Sequence, residues 1–369
     1  MKYIRIFTVS FLCLWQVSFA SEFNDSVDSI FSFIDESNSP GCSVGIVSEG
    51  QLIHKTGYGL ANLELRVALD GDNVHRMASV SKQFTAMAVL LLAEEQKIDL
   101  EEDIRTYLPE LVDYGSMVTI NSMLGHVSGM PDYGGLYESE GVDLRSVAGG
   151  PFRMGNEDYL SIREFYDQVK KVPLEFPPNQ QYEYSNLAYF LLSMLVEEVS
   201  GETLRDYADS RIFQSLGMND TFFSDDSTEI VRNRAHGYKP TEDGYVNDMT
   251  NLFWVGGGGL HTTIEDMLKW DQNFYNPRIG IQPVRLLELF NSPNSNLTTP
   301  GGGLYANGQG VMEVNGRERI SHGGGWLGTR THYARFPDDQ FSTFIMCNDT
   351  SLVPGEYALK IADLYFEDN

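Results

Sequence analysis

Apolar residues recur along this chain with two different periods. Val27, Ile30, Phe31 and Ile34 follow helical spacing, with Asn24 or Asp25 placed to cap the element. Cys42 to Val47, a Glu49-Gly50 turn and Gln51 to Tyr58 read as a β-hairpin. Helical periodicity returns from Ser79 to Gln96, with Phe84, Met87, Ala88, Leu91 and Leu92 in register. From residue 100 to about 290 the pattern is mainly helices and loops. Within it, Asn186 to Ser200 is an apolar helix closed by Gly201, Thr203 to Leu216 a second ending at Gly217, and Ile264 to Phe274 a third. Strand signals reappear at Gly308 to Val314, Arg317 to Ser321, Thr329 to Phe336 and Phe341 to Cys347, and Tyr357 to Phe366 reads as a last helix.

Strands therefore lie at both ends and helices between them. The simplest fold is of α/β (α+β) class: an antiparallel sheet built from both termini, flanked by the terminal helices, with a large all-helical insertion over roughly residues 75–290. An active site between two such lobes is a common arrangement. No internal repeat or low-complexity linker divides the chain, so residues 21–369 read as one domain with one composite core.

Residues 1–20 stand apart from that domain. Lys2 and Arg5 form a positive start, Ile6 to Trp15 is apolar, and Ser18-Phe19-Ala20 places small residues where a signal peptidase reads. This predicts a cleaved signal peptide and a secreted or periplasmic protein. The apolar run is short for a membrane span, and polar residues follow at once, so no integral membrane segment is expected after cleavage. Without Lys2 and Arg5 the chain carries 24 basic against 52 acidic residues. Such an excess argues against nucleic acid or an anionic membrane surface as partner. Cys42 and Cys347 remain, too few for a disulfide scaffold or a zinc site. Gly256–Gly259 and Gly301–Gly303 lack the Lys-Ser/Thr ending of a phosphate loop, no histidine pair has metal-ligand spacing, and no cofactor is expected. The sequence carries no signal for an oligomeric state.

Three short motifs carry the chemistry. Ser79-Val80-Ser81-Lys82 sets a hydroxyl and an amine three residues apart, on one helix face. Free N–H groups at a helix start suit a developing oxyanion, and apolar neighbours of Lys82 lower an amine's pKa enough for it to act as a base. The plain alternative is a capping serine with a solvated lysine. Tyr-x-Asn occurs three times, at Tyr184, Tyr245 and Tyr305. Only Tyr184-Ser185-Asn186 lies between a proline loop (Pro177, Pro178) and a long apolar helix, where a proton-relaying phenol would be held rigidly. The other two read as surface loops. His322-Gly323-Gly324-Gly325 closes a strand, and its glycines let backbone N–H groups approach a substrate. His126 and His261 are competing histidines; His126 lies in a turn, Gly125 to Pro131, that reads as structural. Gly-x-Ser-x-Gly is absent, so the sequence does not support a nucleophile elbow.

In this order the motifs resemble those of the penicillin-recognising serine hydrolases. The nearer group is the class C β-lactamase-like one, with its D-alanyl carboxypeptidases, D-aminopeptidases and related esterases. The likeness extends through Gly125 to Tyr133, Phe176 to Gly201, Leu216 to Phe222, Gly256 to Trp270 and His322 to Asn348. It implies a β-lactamase/transpeptidase-like sandwich with a helical lobe. It also implies Ser79 as nucleophile with Lys82 as its partner, Tyr184 as general base and leaving-group acid in concert with Lys82, and Asn186 as a group orienting the lysine and substrate; which of Lys82 and Tyr184 takes the serine proton stays open. The N–H groups of Ser79 and Gly325 would form the oxyanion hole, with His322, Gly323 and Gly324 beside the substrate. Two positions depart from the family pattern. His322-Gly323-Gly324 replaces Lys-Thr-Gly, which removes a cation that helps hold a substrate carboxylate. Pro178-Asn179 stands where Pro-Gly is usual, a change in the loop and not in the chemistry.

The expected activity is hydrolysis of an amide or ester through an acyl-enzyme on a small-molecule or peptide substrate: a D-amino-acid peptide, a small ester or a β-lactam. The rival is a catalytically silent relative that binds peptidoglycan peptides or a protein partner. If the sheet follows the family's, Cys42 and Cys347 open and close neighbouring antiparallel strands. A disulfide and two buried thiols are then equally open readings.

Overall fold

Seven antiparallel strands form the main sheet of the computed structural model, which describes residues 22–132, 161–226, 228–250 and 253–367. The expected signal peptide, residues 1–20, lies outside the described residues. The strands are β1 (Cys42–Ser48), β2 (Gln51–Tyr58), β3 (Leu304–Ala306), β4 (Gln309–Val314), β5 (Arg317–Trp326), β6 (Thr329–Phe336) and β7 (Phe341–Cys347). Their spatial order is β3-β4-β5-β6-β7-β1-β2, so the first and last segments of the fold are neighbours. β1 pairs with β7 from Cys42 opposite Cys347 to Ser48 opposite Phe341. Both are buried along nearly their whole length, which is why they read as continuous apolar runs and not as alternating ones.

Helices cover both faces. They are α1 (22–31), α2 (Lys82–Glu94), α3 (Asn186–Ser200), α4 (Ile264–Asn273), α5 (Pro283–Asn291) and α6 (Pro354–Glu367). Side chains of α1 and α6 pack with Val44, Ile46 and Ile345 on one face. Val47, Phe344 and Met346 point the other way, into the larger core built around α2 and α3. Helix α2 is buried on all sides from Lys82 to Leu92, as an apolar helix at the centre of a lobe must be. Ser185 caps α3, its Oγ accepting the Ala188 N–H at 3.0 Å, and Gly201 ends it in the left-handed region at φ 74°.

Four expectations change. Helix α1 already includes residue 22, so Asn24 and Asp25 lie inside it; Phe23, buried one turn before Val27, extends the apolar stripe backwards. The α-helical hydrogen bonding of α2 starts at Lys82, because Ala78–Ser81 forms a 3₁₀ turn. Strand β5 does not end at Ser321 but continues to Trp326, since Gly323 to Gly325 pair with His332 to Arg330 of β6. Tyr305-Ala306-Asn307 is no surface loop. It belongs to a buried hairpin, with Asn307 (φ 46°) and Gly308 (φ 87°) as its two turn residues. The turn is buried because the Asn307 amide donates to the Leu289 and Phe290 carbonyls at 3.0 and 3.1 Å. Gly308 in turn rests on α2, where a β-carbon would come within 2.6 Å of the Gln83 nitrogen.

The cysteine question resolves as a disulfide. Cys42 and Cys347 are bonded, with Cα atoms 3.9 Å apart, across 305 residues of sequence. Closing so long a loop stabilises chiefly by restricting the unfolded chain, by about 2–5 kcal/mol. Removing both sulfurs (Cys42→Ala with Cys347→Ala) is expected to lower the urea midpoint accordingly. An unchanged midpoint would show that the bond adds no stability.

Candidate active site

Ser79 sits in the 3₁₀ turn that leads into α2, and part of it remains open to solvent. Ala78, just before it, adopts φ 47°, a region that a residue with a β-carbon enters only under constraint. The constraint is visible. Ser81 Oγ donates to the Ala78 carbonyl at 2.5 Å and accepts the Leu260 N–H at 3.0 Å, pinning the turn from below. Gly324 of β5 lies against the same turn, where a β-carbon would come within 2.3 Å of the Met77 carbonyl oxygen. A glycine is needed there for the strand to lie this close to the serine turn.

Lys82 is fully buried, and three oxygens surround its amine. Nζ lies 2.6 Å from Asn186 Oδ1, 2.6 Å from the Gly257 carbonyl oxygen and 3.3 Å from Ser79 Oγ. Burial lowers its pKa to about 7, against a smaller upward pull from Asp132. A neutral amine has two N–H bonds and one lone pair. The two carbonyl-type oxygens can only accept, so they take the N–H groups and leave the lone pair for the Ser79 hydroxyl.

Tyr184 flanks that amine, its ring centroid 4.7 Å from Lys82 Nζ. It precedes α3 by two residues, and Asn186, the first residue of α3, donates its backbone N–H to Asp132 at 3.1 Å. The departure at Asn179 has a backbone reason. Its φ is 65°, a left-handed value where glycine is usual and asparagine is tolerated, and its N–H donates to the Val127 carbonyl at 2.7 Å.

His322 faces the same space from β5. Its Nδ1 lies 2.6 Å from the Gly323 carbonyl oxygen and its Nε2 3.0 Å from the Tyr305 hydroxyl. A carbonyl only accepts, so Nδ1 carries the proton and Nε2 accepts from Tyr305. Part of the residue reaches solvent, yet the ring's enclosure, and secondly the charge of Lys82, push its pKa down to about 3. The imidazole is therefore neutral at pH 7. Strand β4 stops pairing with β5 at Ser321, so, among the described residues, 322–326 have a strand partner only in β6. On the other side alternate residues turn backbone N–H and C=O groups outward, a ready edge for a peptide-like ligand.

The structure thus gathers Ser79, Lys82, Tyr184, Asn186 and His322 into one cluster, with Gly323 to Gly325 on the strand beside it. Tyr245 lies apart, exposed on a small hairpin. His261 is also apart, buried and stacked on Phe222 at 5.4 Å. Two residues that the sequence reading sets aside, Tyr305 as a loop residue and His126 as part of a structural turn, lie beside the cluster. Tyr305 holds His322, and the Asn307-Gly308 pair beside it was a usable hairpin signal. His126, 4.2 Å from the Tyr184 ring between centroids, gave no such signal, because only the fold brings its turn to this loop.

Comparison with known proteins shows the family and the fold. The family model described as Beta-lactamase matches residues 27–365. A D-aminopeptidase of Gluconobacter oxydans (strain 621H) is 25% identical over 315 residues, 85% of this chain. The chain spans just over half of that relative, 56% of its length. The human serine beta-lactamase-like protein LACTB, mitochondrial (Homo sapiens), is 26% identical over 440 residues, covering 93% of this chain and 80% of the relative. Among solved structures, the octameric penicillin-binding protein homologue from Pyrococcus abyssi superposes with a TM-score of 0.80 at 22% identity, over 95% of this chain and 77% of that one.

Proposed function

The chain belongs to the beta-lactamase family of serine hydrolases, and on that premise we propose that it cleaves an amide or ester through an acyl-enzyme on Ser79. The observation that carries this reading is Lys82 Nζ lying 2.6 Å from both Asn186 Oδ1 and the Gly257 carbonyl oxygen and 3.3 Å from Ser79 Oγ, which in the neutral amine leaves the lone pair for the serine. Ser79 Oγ attacks the carbonyl carbon as Lys82 takes its proton. The N–H groups of Ser79 and Gly325 receive the oxyanion. The proton then passes through the Tyr184 hydroxyl to the leaving amine or alcohol, and the C–N or C–O bond breaks. Water, deprotonated by the same pair, attacks the acyl carbon; the acyl C–Oγ bond breaks, Ser79 Oγ takes that proton back, and the acid leaves. Asn186 orients the amine throughout.

A D-amino-acid amide or a small ester is the proposed substrate, ahead of a β-lactam. The support is a relative named D-aminopeptidase and the neutral His322, which offers no fixed charge to a carboxylate. Export belongs to the same proposal. Residues 1–20 read as a signal peptide, and the Cys42–Cys347 bond suits an oxidising destination. Among the described residues no helix is long and apolar enough to cross a membrane. Labelling with a fluorophosphonate probe tests the nucleophile, and turnover of p-nitrophenyl esters, D-alanyl amides and a chromogenic cephalosporin, side by side, tests the substrate. Efficient cephalosporin hydrolysis would reverse the proposed order.

The missing cation gives a quantitative expectation. His322→Lys should improve kcat/KM for carboxylate-bearing substrates by about 1–3 kcal/mol, the range of a charge-assisted hydrogen bond. Esters without a carboxylate should not gain. An equal change for both classes would show that residue 322 does not meet the carboxylate.

A further inference from the structure

The turn from His126 to Asp132 holds the loop that carries Tyr184. Backbone N–H groups of Glu175, Asn179 and Glu183 donate to the carbonyls of Gly129, Val127 and His126 at 2.9, 2.7 and 2.9 Å. A fourth bond comes from a side chain: His126 Nδ1 accepts the Ser185 N–H at 3.1 Å. One residue therefore holds the backbone on both sides of Tyr184, through its carbonyl oxygen at Glu183 and its ring at Ser185.

The rest of His126 fits no simpler role. It is fully buried at φ 57°, where few residues other than glycine settle. Because Nδ1 accepts an N–H, the ring proton sits on Nε2. That Nε2 has no hydrogen-bond partner among the described residues. The ring lies among those of Tyr182, Tyr189 and Tyr305, with centroids 6.0, 5.0 and 4.6 Å away. A phenyl ring would fill this box without the orphaned donor. What it would lack is the acceptor at Nδ1. Burial above all, and secondly any positive charge on Lys82, disfavours protonation of the imidazole, so that acceptor persists.

We propose that His126 is a positioning residue for Tyr184, clamping the backbone on either side of it so that the phenol stays beside Lys82. The inference rests on the reading of Tyr184 as a proton carrier. The test compares His126→Asn with His126→Gln, using a p-nitrophenyl ester as the probe. Asparagine sets an oxygen near the former Nδ1 and tolerates the left-handed backbone, whereas glutamine reaches instead towards the former Nε2. The glutamine variant should lose roughly 100-fold in kcat with KM within about threefold, while asparagine stays within about fivefold of the parent kcat. Equal kcat in two folded variants, or a loss confined to KM, would overturn the clamp. Should the glutamine variant not fold, the asparagine variant decides alone, and a folded asparagine enzyme slowed about 100-fold overturns the proposal. In a Tyr184→Phe background the added glutamine should change kcat by less than about threefold, and a full further loss would show action elsewhere. A Tyr184→Phe enzyme with the parent kcat would bring down the reading of Tyr184 and the clamp with it, whereas an inactive one beside an active glutamine variant removes the clamp only.

Discussion

A Ser79→Ala enzyme is expected to lose about 10⁴–10⁶-fold in kcat and all covalent labelling by a fluorophosphonate. The size follows from the cluster. Lys82 is enclosed by Asn186, Gly257 and Ser79, so without the hydroxyl its lone pair meets no acylable group. Ser81 cannot substitute, because its buried Oγ is committed to Ala78 and Leu260. A small residual rate from binding and oxyanion stabilisation alone is compatible with the mechanism. Retained labelling is not, and would move the nucleophile elsewhere. Labelling of the unaltered protein also separates an enzyme from a silent binder of the same fold.

Lys82→Met should cost about 10²–10⁴-fold in kcat/KM, the usual range for a positioned acid–base group. The unaltered enzyme should show the same group in its pH profile. Burial lowers the Lys82 pKa from 10.5 to about 7, and only the neutral amine can accept the Ser79 proton. Activity should therefore rise with pH through that value, falling about tenfold per unit on the acid side. Stability has the same sign. Between pH 7 and 10.5 the unfolded chain binds the proton that the folded chain has released, so this amine's contribution to stability grows as pH rises through that window. A flat profile from pH 5 to about 8 would exclude Lys82 as the base.

What the sequence revealed of this site was local. Ser79 and Lys82 meet because three residues along a helical turn share a face, and Ser185 caps α3 because its hydroxyl reaches the Ala188 N–H. The β1–β2 hairpin was legible for the same reason, its Glu49-Gly50 turn having φ of 49° and 73°. Misreadings arose where distant segments decide. Tyr305 looked like a loop residue beside Asn307 and Gly308, two residues common on surfaces. The hairpin is buried because the α5 region supplies carbonyls for Asn307 and because α2 leaves room for a glycine. Three consecutive glycines looked like the end of a strand, yet β6 supplies the ladder that keeps them extended. His126 is 59 residues from the Ser185 N–H it accepts, a separation that no periodicity reports.

The pairing of β1 with β7 also sets when this sheet can exist. The two strands touch across 305 residues of sequence, and synthesis advances at about 5–20 residues per second. Strand β1 is therefore made some 15–60 s before its neighbour. During that interval the β1–β2 hairpin presents a bare apolar edge, a template for wrong pairing with any passing strand. A ribosome-bound chain halted before Phe341 should leave β1 open to protease, whereas the full-length chain should protect it. Seating β1 between β2 and β7 must therefore wait until Phe341 to Cys347 have been made.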